Sequence, residues 1–200
     1  MSPIKVFIAV KAAKYRSMLT RLLVEQDGFI KLGESGTRPA TLTKVAKMQP
    51  HVLLMDSVIA PPGKEEFIES VRTVSPATKV VVLPPKYVRS DELRVARAGA
   101  RGYLPKKMVG TALPKAVRVV TDGEIWMRKE TVSQIFDEYV QAASLKKVAG
   151  TDQVTSLTQR ELSILQLVVK DKSRRDIAKS LHTNERSVER TLTAIANKLR

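Results

Sequence analysis

The chain has 200 residues, 43% of them hydrophobic, and its 35 Lys and Arg against 20 Asp and Glu give a formal net charge of +15. It has no cysteine, which excludes disulfides and thiolate metal sites, and its two histidines, His51 and His182, sit in no metal-ligand spacing. No apolar run approaches the roughly 20 residues of a membrane span, and the start Met-Ser-Pro-Ile-Lys-Val lacks the apolar region of a signal peptide. A cytoplasmic protein without metal or other cofactor is therefore expected. Residues 1–130 hold 23 basic against 12 acidic side chains, and residues 155–200 hold 10 against 5. Such a surplus favours a polyanionic partner, nucleic acid before an acidic protein or a membrane surface.

In chain order, Lys5–Ala9 (KVFIA) reads as a buried strand and Lys14–Gln26 as a helix with Met18, Leu19, Leu22 and Leu23 at helical spacing. Phe29–Leu32 is a weak strand, Thr41–Met48 a helix, Val52–Met55 (VLLM) a strand and Glu65–Val74 a helix. Lys79–Leu83 (KVVVL) is a β-branched strand, followed by a helix over Asp91–Ala98, a short strand Gly102–Leu104 and a helix over Val109–Thr121. Strands without alternation, separated by helical periods, predict a five-stranded parallel sheet in a doubly wound α/β domain over residues 1–128. Thr131–Ala143 carries an apolar stripe (Val132, Ile135, Phe136, Tyr139, Val140) that must meet either the first domain or a second subunit. It begins a linker helix and polar linker over residues 129–154.

Residues 155–200 are helical throughout in pattern. Thr158, with Glu161 three residues on, marks the start of one helix; Ser173 with Asp176 marks a second; Asn184 caps a third. Ile177, Ala178 and Leu181 face inward on the second helix, and Val188, Leu192, Ile195 and Leu199 on the third. Two short helices followed by a longer cation-bearing one make a helix-turn-helix, an all-α domain after the α/β one.

Leu157–Leu199 resembles the LuxR-type (NarL/FixJ-type) DNA-binding domain without gaps. The matching residues are Leu157-Thr158-x-Arg160-Glu161, Leu165-x-Leu167-Val168, Ser173-x-Arg175-x-Ile177-Ala178, Leu181, and Glu185-Arg186-Ser187-Val188. Residues 3–126 look like the receiver domain of a NarL/FixJ-type response regulator. Met55-Asp56, Val80–Leu83, Ala98-Gly99-Ala100-x-Gly102-Tyr103-Leu104-x-Lys106 and Gly123-Glu124-x-Trp126 carry that resemblance.

The resemblance implies an aspartate that accepts a phosphoryl group, at Asp56, and a lysine that contacts it, at Lys106. It also implies two carboxylates for Mg²⁺, but their places fall on Val10 and Lys11. The hydroxyl place falls on Pro84, and the usual Met-Pro-Gly is Ile59-Ala60-Pro61. A hard cation held by oxygen ligands finds no carboxylate pair there. The resemblance places Lys11 and Lys106 near Asp56, where they would keep the carboxylate ionised without metal. The expectation is an atypical receiver not switched by phosphorylation, with Lys11 in place of the metal. In the competing reading Lys11 points to solvent.

The resemblance further implies double-stranded DNA as partner, read in the major groove by the third helix. Arg186, Glu189, Arg190, Thr193 and Asn197 lie opposite its apolar face. Arg190 suits guanine and Thr193 a thymine methyl or a phosphate, while Arg174, Arg175 and Ser187 near helix starts suit phosphates. Glu189 falls where many family members have Lys. A carboxylate there is repelled by phosphates, accepts from cytosine N4, or pairs with Arg186 or Arg190. The family's short dimerisation helix does not precede Arg200, so a homodimer is expected through the receiver or the 131–143 helix. No cluster of a metal enzyme or nuclease is visible, so no catalytic or metal residue is assigned. The reading is a regulator of transcription, set by an unknown protein or small-molecule effector. Two alternatives stay open: a protein-interaction module that has lost DNA binding, and a conventional phosphorylation-switched regulator.

Overall fold

The computed structural model describes residues 2–59, 63–148, 158–169, 172–181 and 183–198. The chain divides into two compact units, Met1–Ile135 and Phe136–Arg200.

The first unit alternates strand and helix: β1 Ile4–Ala9, α1 Ala13–Val24, β2 Phe29–Ser35, α2 Arg38–Met48, β3 Val52–Asp56, α3 Lys64–Val74, β4 Lys79–Leu83, α4 Arg89–Arg97, β5 Gly102–Tyr103 and α5 Val109–Thr121. The strands form one sheet in the order β2-β1-β3-β4-β5, with every pair parallel. Its inner strands read as unbroken apolar runs because both faces are covered. Successive side chains take opposite faces. Val6, Ile8, Leu54 and Val81 pack with Leu19 and Leu23 of α1 and Leu113 and Val117 of α5. Phe7, Leu53, Met55, Val80 and Val82 pack with Val45 of α2, Phe67, Ile68 and Val71 of α3 and Val95 of α4. Gly99, with φ +102°, turns the chain from α4 into β5; a Cβ there would lie 2.7 Å from the Arg72 side chain.

Several elements extend beyond their sequence pattern, β2 and α2 by three residues each. β2 continues past Leu32 to Ser35 on the edge of the sheet, where Lys31 and Glu34 are half-buried rather than core. α2 begins at Arg38, three residues before its first buried position, Thr41, with Pro39 in the first turn where no amide partner is lost.

α6 runs over Lys129–Val148, and the division between the units falls within it. Of the stripe on this helix, Tyr139 packs against the core of the second unit; Thr131, just ahead of the stripe, is buried in the first. The second unit continues with α7 Gln159–Val169, α8 Arg174–Ser180 and α9 Glu185–Lys198. Its core is Ile164, Ile177, Ala178, Val188 and Ile195, with Leu165, Leu181 and Leu192 around them.

Each of its helices starts on a side-chain cap. The Thr158 hydroxyl accepts from the Glu161 amide at 3.3 Å, and the Glu161 carboxylate accepts from the Thr158 amide at 2.6 Å, a complete reciprocal box. The Ser173 hydroxyl accepts from the Asp176 amide at 3.1 Å and donates to its carboxylate at 2.6 Å. Asn184 Oδ1 accepts from the Ser187 amide at 2.8 Å, directing α9 out of the short connection after α8. Among the described residues no helix is long and apolar enough to cross a membrane.

Candidate functional site

Two places collect polar side chains that the core does not need. One is the carboxyl end of the sheet, where ligands gather in open α/β folds. The other is the outward face of α9.

At the first, Asp56 ends β3 and is 3% exposed. Its Oδ2 accepts from Lys106 Nζ at 2.8 Å, and its Oδ1 accepts from the Val58 amide at 3.2 Å. Lys106 is delivered by the turn after β5, and its own amide donates to the Pro84 carbonyl at 2.9 Å. The ammonium also lies 4.8 Å from the centre of the Tyr15 ring, in cation–π range. Burial, helped by the negative charge of Asp56, pushes the Tyr15 hydroxyl up to about 12. Tyr15 escapes a sequence reading of this site because it sits one turn before Met18 and Leu19 and reads as part of their apolar stripe.

The loop between β1 and α1 departs from expectation. Val10 is fully buried in the core, and Lys11 is exposed and forms no ion pair with Asp56. The cation of this loop is Arg16. Its guanidinium donates to the Val10 and Lys11 carbonyls at 2.7 and 2.9 Å and to Glu34 at 3.0 Å. Hydrogen bonds from Lys31 and Arg16 hold the Glu34 carboxyl below the usual range. With its backbone pinned from beneath, the loop turns the Lys11 side chain to solvent.

A second polar cluster lies on α4, where Asp91 and Glu92 are both buried. Asp91 pairs with Lys64 and with Arg94 at 2.9 Å, and accepts from the Tyr103 hydroxyl at 3.0 Å. Burial works to raise its pKa, but Lys64, Tyr103 and Arg94 outweigh it and hold the carboxyl below the ordinary value. Glu92 accepts from the Tyr87 hydroxyl at 3.0 Å, the Thr131 hydroxyl at 2.5 Å and the Arg128 amide at 3.2 Å. The Arg128 guanidinium lies 3.8 Å from the centre of the Tyr87 ring. Neighbouring residues of α4 thus hold β5 on one side and the first turn of α6 on the other.

On the second unit, Arg186, Glu189, Arg190 and Thr193 are exposed along α9, as are Arg174 and Arg175 at the start of α8, and Ser187 is half-buried. The Asn197 side chain lies outside the described residues. Arg186, Ser187 and Arg190 line a concavity of about 550 Å³ with Asn184, Thr191 and Glu161. Neither arginine has an acidic partner among the described residues. Glu189 pairs with neither of them. It meets Arg174 of α8 at 3.4 Å, so its partner is across the motif rather than along the helix.

Residues 155–200 match the family model of the luxR family of bacterial regulatory proteins. The chain thus has a five-stranded parallel sheet of receiver type followed by a helical domain of LuxR type. It is 29% identical over 197 residues to the oxygen regulatory protein NreC of Staphylococcus aureus (strain JH9), covering 98% of this chain and 90% of that one. Its fold is similar to the Salmonella typhimurium RcsB response regulator, with a TM-score of 0.59 at 21% identity over 100% of this chain and 93% of that one. It is also similar to a structure of two RcsB dimers bound to two parallel DNAs, with a TM-score of 0.57 at 19% identity over 96% of this chain and 90% of that one.

The Mg²⁺ that the receiver resemblance implies does not fit the residues of this chain. Mg²⁺ needs near-octahedral oxygen ligation. Asp56 supplies one carboxylate, with an ammonium already on Oδ2. Val10 and Lys11 supply none, and their carbonyl oxygens are taken by Arg16. Among the described residues no three carboxylate or histidine side chains converge.

Proposed function

We propose that the chain is a DNA-binding transcription regulator whose receiver is not switched by aspartyl phosphorylation. The observation that carries the first half is the pair of exposed arginines, Arg186 and Arg190, without an acidic partner among the described residues, on the outward face of a capped α9. Donors one turn apart on a helix of this motif suit guanine edges and the flanking phosphates. Arg174, Arg175 and Ser187 supply sequence-independent contacts, and Thr193, whose hydroxyl donates to the Glu189 carbonyl at 3.0 Å, offers a methyl group to thymine. Relatives bound to DNA as dimers support a dimeric form here. Tyr139 of the 131–143 helix already packs against the core of the second unit, which favours the receiver surface as the dimer contact.

The second half rests on the ion pair between Lys106 and Asp56 beside a loop without carboxylates. The ammonium holds one oxygen of Asp56 and the Val58 amide the other, and among the described residues no metal ligands stand ready to neutralise an incoming phosphoryl group. The receiver then holds one resting state, or is set by an effector protein or small molecule.

Two measurements test the reading. The full chain should bind a preferred site in genomic DNA over scrambled sequence at near-physiological salt; equal affinity for both would leave only the nonspecific electrostatic component. Incubated with acetyl phosphate and Mg²⁺, the chain should keep its mass. A stable adduct of about 80 Da on Asp56 would restore the conventional switch.

A further inference from the structure

A carboxylate on a DNA-reading helix needs an explanation, because phosphates on both sides of the groove repel it. The ion pair with Arg174 supplies one. Arg174 reaches from α8 to Glu189 on α9, 15 residues on, at 3.4 Å, and both side chains are more than half exposed. The arginine cancels the negative charge and limits the directions the carboxylate can take.

The neighbours of Glu189 define what it can read. Arg186 and Arg190 are donors only, and the Thr193 hydroxyl is spent on the Glu189 carbonyl. Among the described exposed side chains of α9, Glu185 and Glu189 are acceptor-only, and Glu189 is the one that lies between Arg186 and Thr193 and is met by Arg174 of α8. In the major groove guanine and thymine offer acceptors, so a carboxylate cannot bond to them. Adenine offers its N6 donor beside the N7 acceptor, which opposes the second carboxylate oxygen. Cytosine offers N4 as a donor with no acceptor beside it.

We infer that Glu189, neutralised by Arg174, selects cytosine at one position of each half-site. This rests on the DNA-binding reading above and names the base that one residue recognises.

The test is selection of binding sites from random duplex DNA by the full chain and by its Glu189→Gln, Glu189→Lys and Arg174→Ala variants. The wild type should enrich a motif with one cytosine position that changes to adenine with Glu189→Gln and to guanine with Glu189→Lys, all other positions holding. At that position the preferred base should be favoured about tenfold or more over the others, within the range of a single base contact. Arg174→Ala should bind every site more weakly and still prefer cytosine. A motif unchanged by both Glu189 variants overturns the inference and leaves the DNA-binding reading standing. So does a uniform gain in affinity with no change in motif, which would make Glu189 a repulsive group only. No motif for the wild type, in the presence of folded protein, overturns both. Because the side chain is exposed, circular dichroism of each variant should match the wild type.

Discussion

The two units treat charge in opposite ways. In the receiver, carboxylates are taken inside and answered: Asp56 by Lys106, Asp91 by Lys64, Arg94 and Tyr103, Glu92 by two hydroxyls and an amide. On the outward face of the helix-turn-helix, Arg186 and Arg190 are exposed without acidic partners among the described residues, and the ion pair of Glu189 with Arg174 is itself exposed. A buried, satisfied charge has large consequences for stability and is hard for a ligand to reach. An exposed charge contributes little to stability and is free to recognise. Under the proposed function the first unit holds a state and the second reads a surface, and substitutions should separate the two roles.

The largest effect is expected at Glu92. Replacing it by Ala leaves the Tyr87 and Thr131 hydroxyls and the Arg128 amide without their acceptor. It should cost the receiver about 3 kcal/mol, the scale for breaking a buried polar network from one side. Urea unfolding checks this, and Glu92→Gln, which keeps an acceptor, should recover much of the loss. Lys106→Met comes next, at about 2 kcal/mol, because it strands the nearly buried Asp56 carboxylate. Adding Asp56→Asn to that variant should restore more than half of the difference, since the stranded charge is then gone.

Acid should act on the same unit. The Asp91 carboxyl is held below its unfolded value, so its contribution is complete above an unfolded pKa of about 3.9 and is lost as pH falls through the lower folded value. The receiver should lose stability on acidification below about pH 4, and Asp91→Asn should flatten that limb of the curve.

These buried carboxylates are also where the sequence was least informative. Strands and helices were legible because their signals are local: VLLM and KVVVL for central strands, Thr158, Ser173 and Asn184 for helix starts. Asp56 and Lys106 were legible through motifs anchored at strand ends. Glu92 was not, because its partners Arg128 and Thr131 lie 36 and 39 residues away and only the fold brings them together. Lys11 shows the same limit from the other side. A motif can place a residue in a loop, but its side-chain direction was set by Arg16, which no spacing rule links to it. Likewise, the helical period suggested partners for Glu189 at neighbouring turns of α9, whereas the geometry between α8 and α9 supplies Arg174.

The second unit should respond weakly in stability. Thr158→Ala removes one half of the reciprocal cap and should cost about 1 kcal/mol in its thermal unfolding.

Arg174→Ala should mark the bottom of the scale, within about 0.5 kcal/mol of wild type, as an exposed ion pair contributes little against the entropy of holding it. The same substitution should be conspicuous on DNA. It removes a cation suited to a phosphate and leaves the Glu189 carboxylate uncompensated, so affinity should fall across sequences. The plot of log affinity against log salt should also lose about one unit of slope. Glu92→Gln, tested beside it, should leave that slope unchanged. If instead Arg174→Ala destabilised the fold and spared the salt dependence, the ion pair would belong to the architecture, and the contrast between a unit that stores charge and a unit that displays it would fail at its most exposed point.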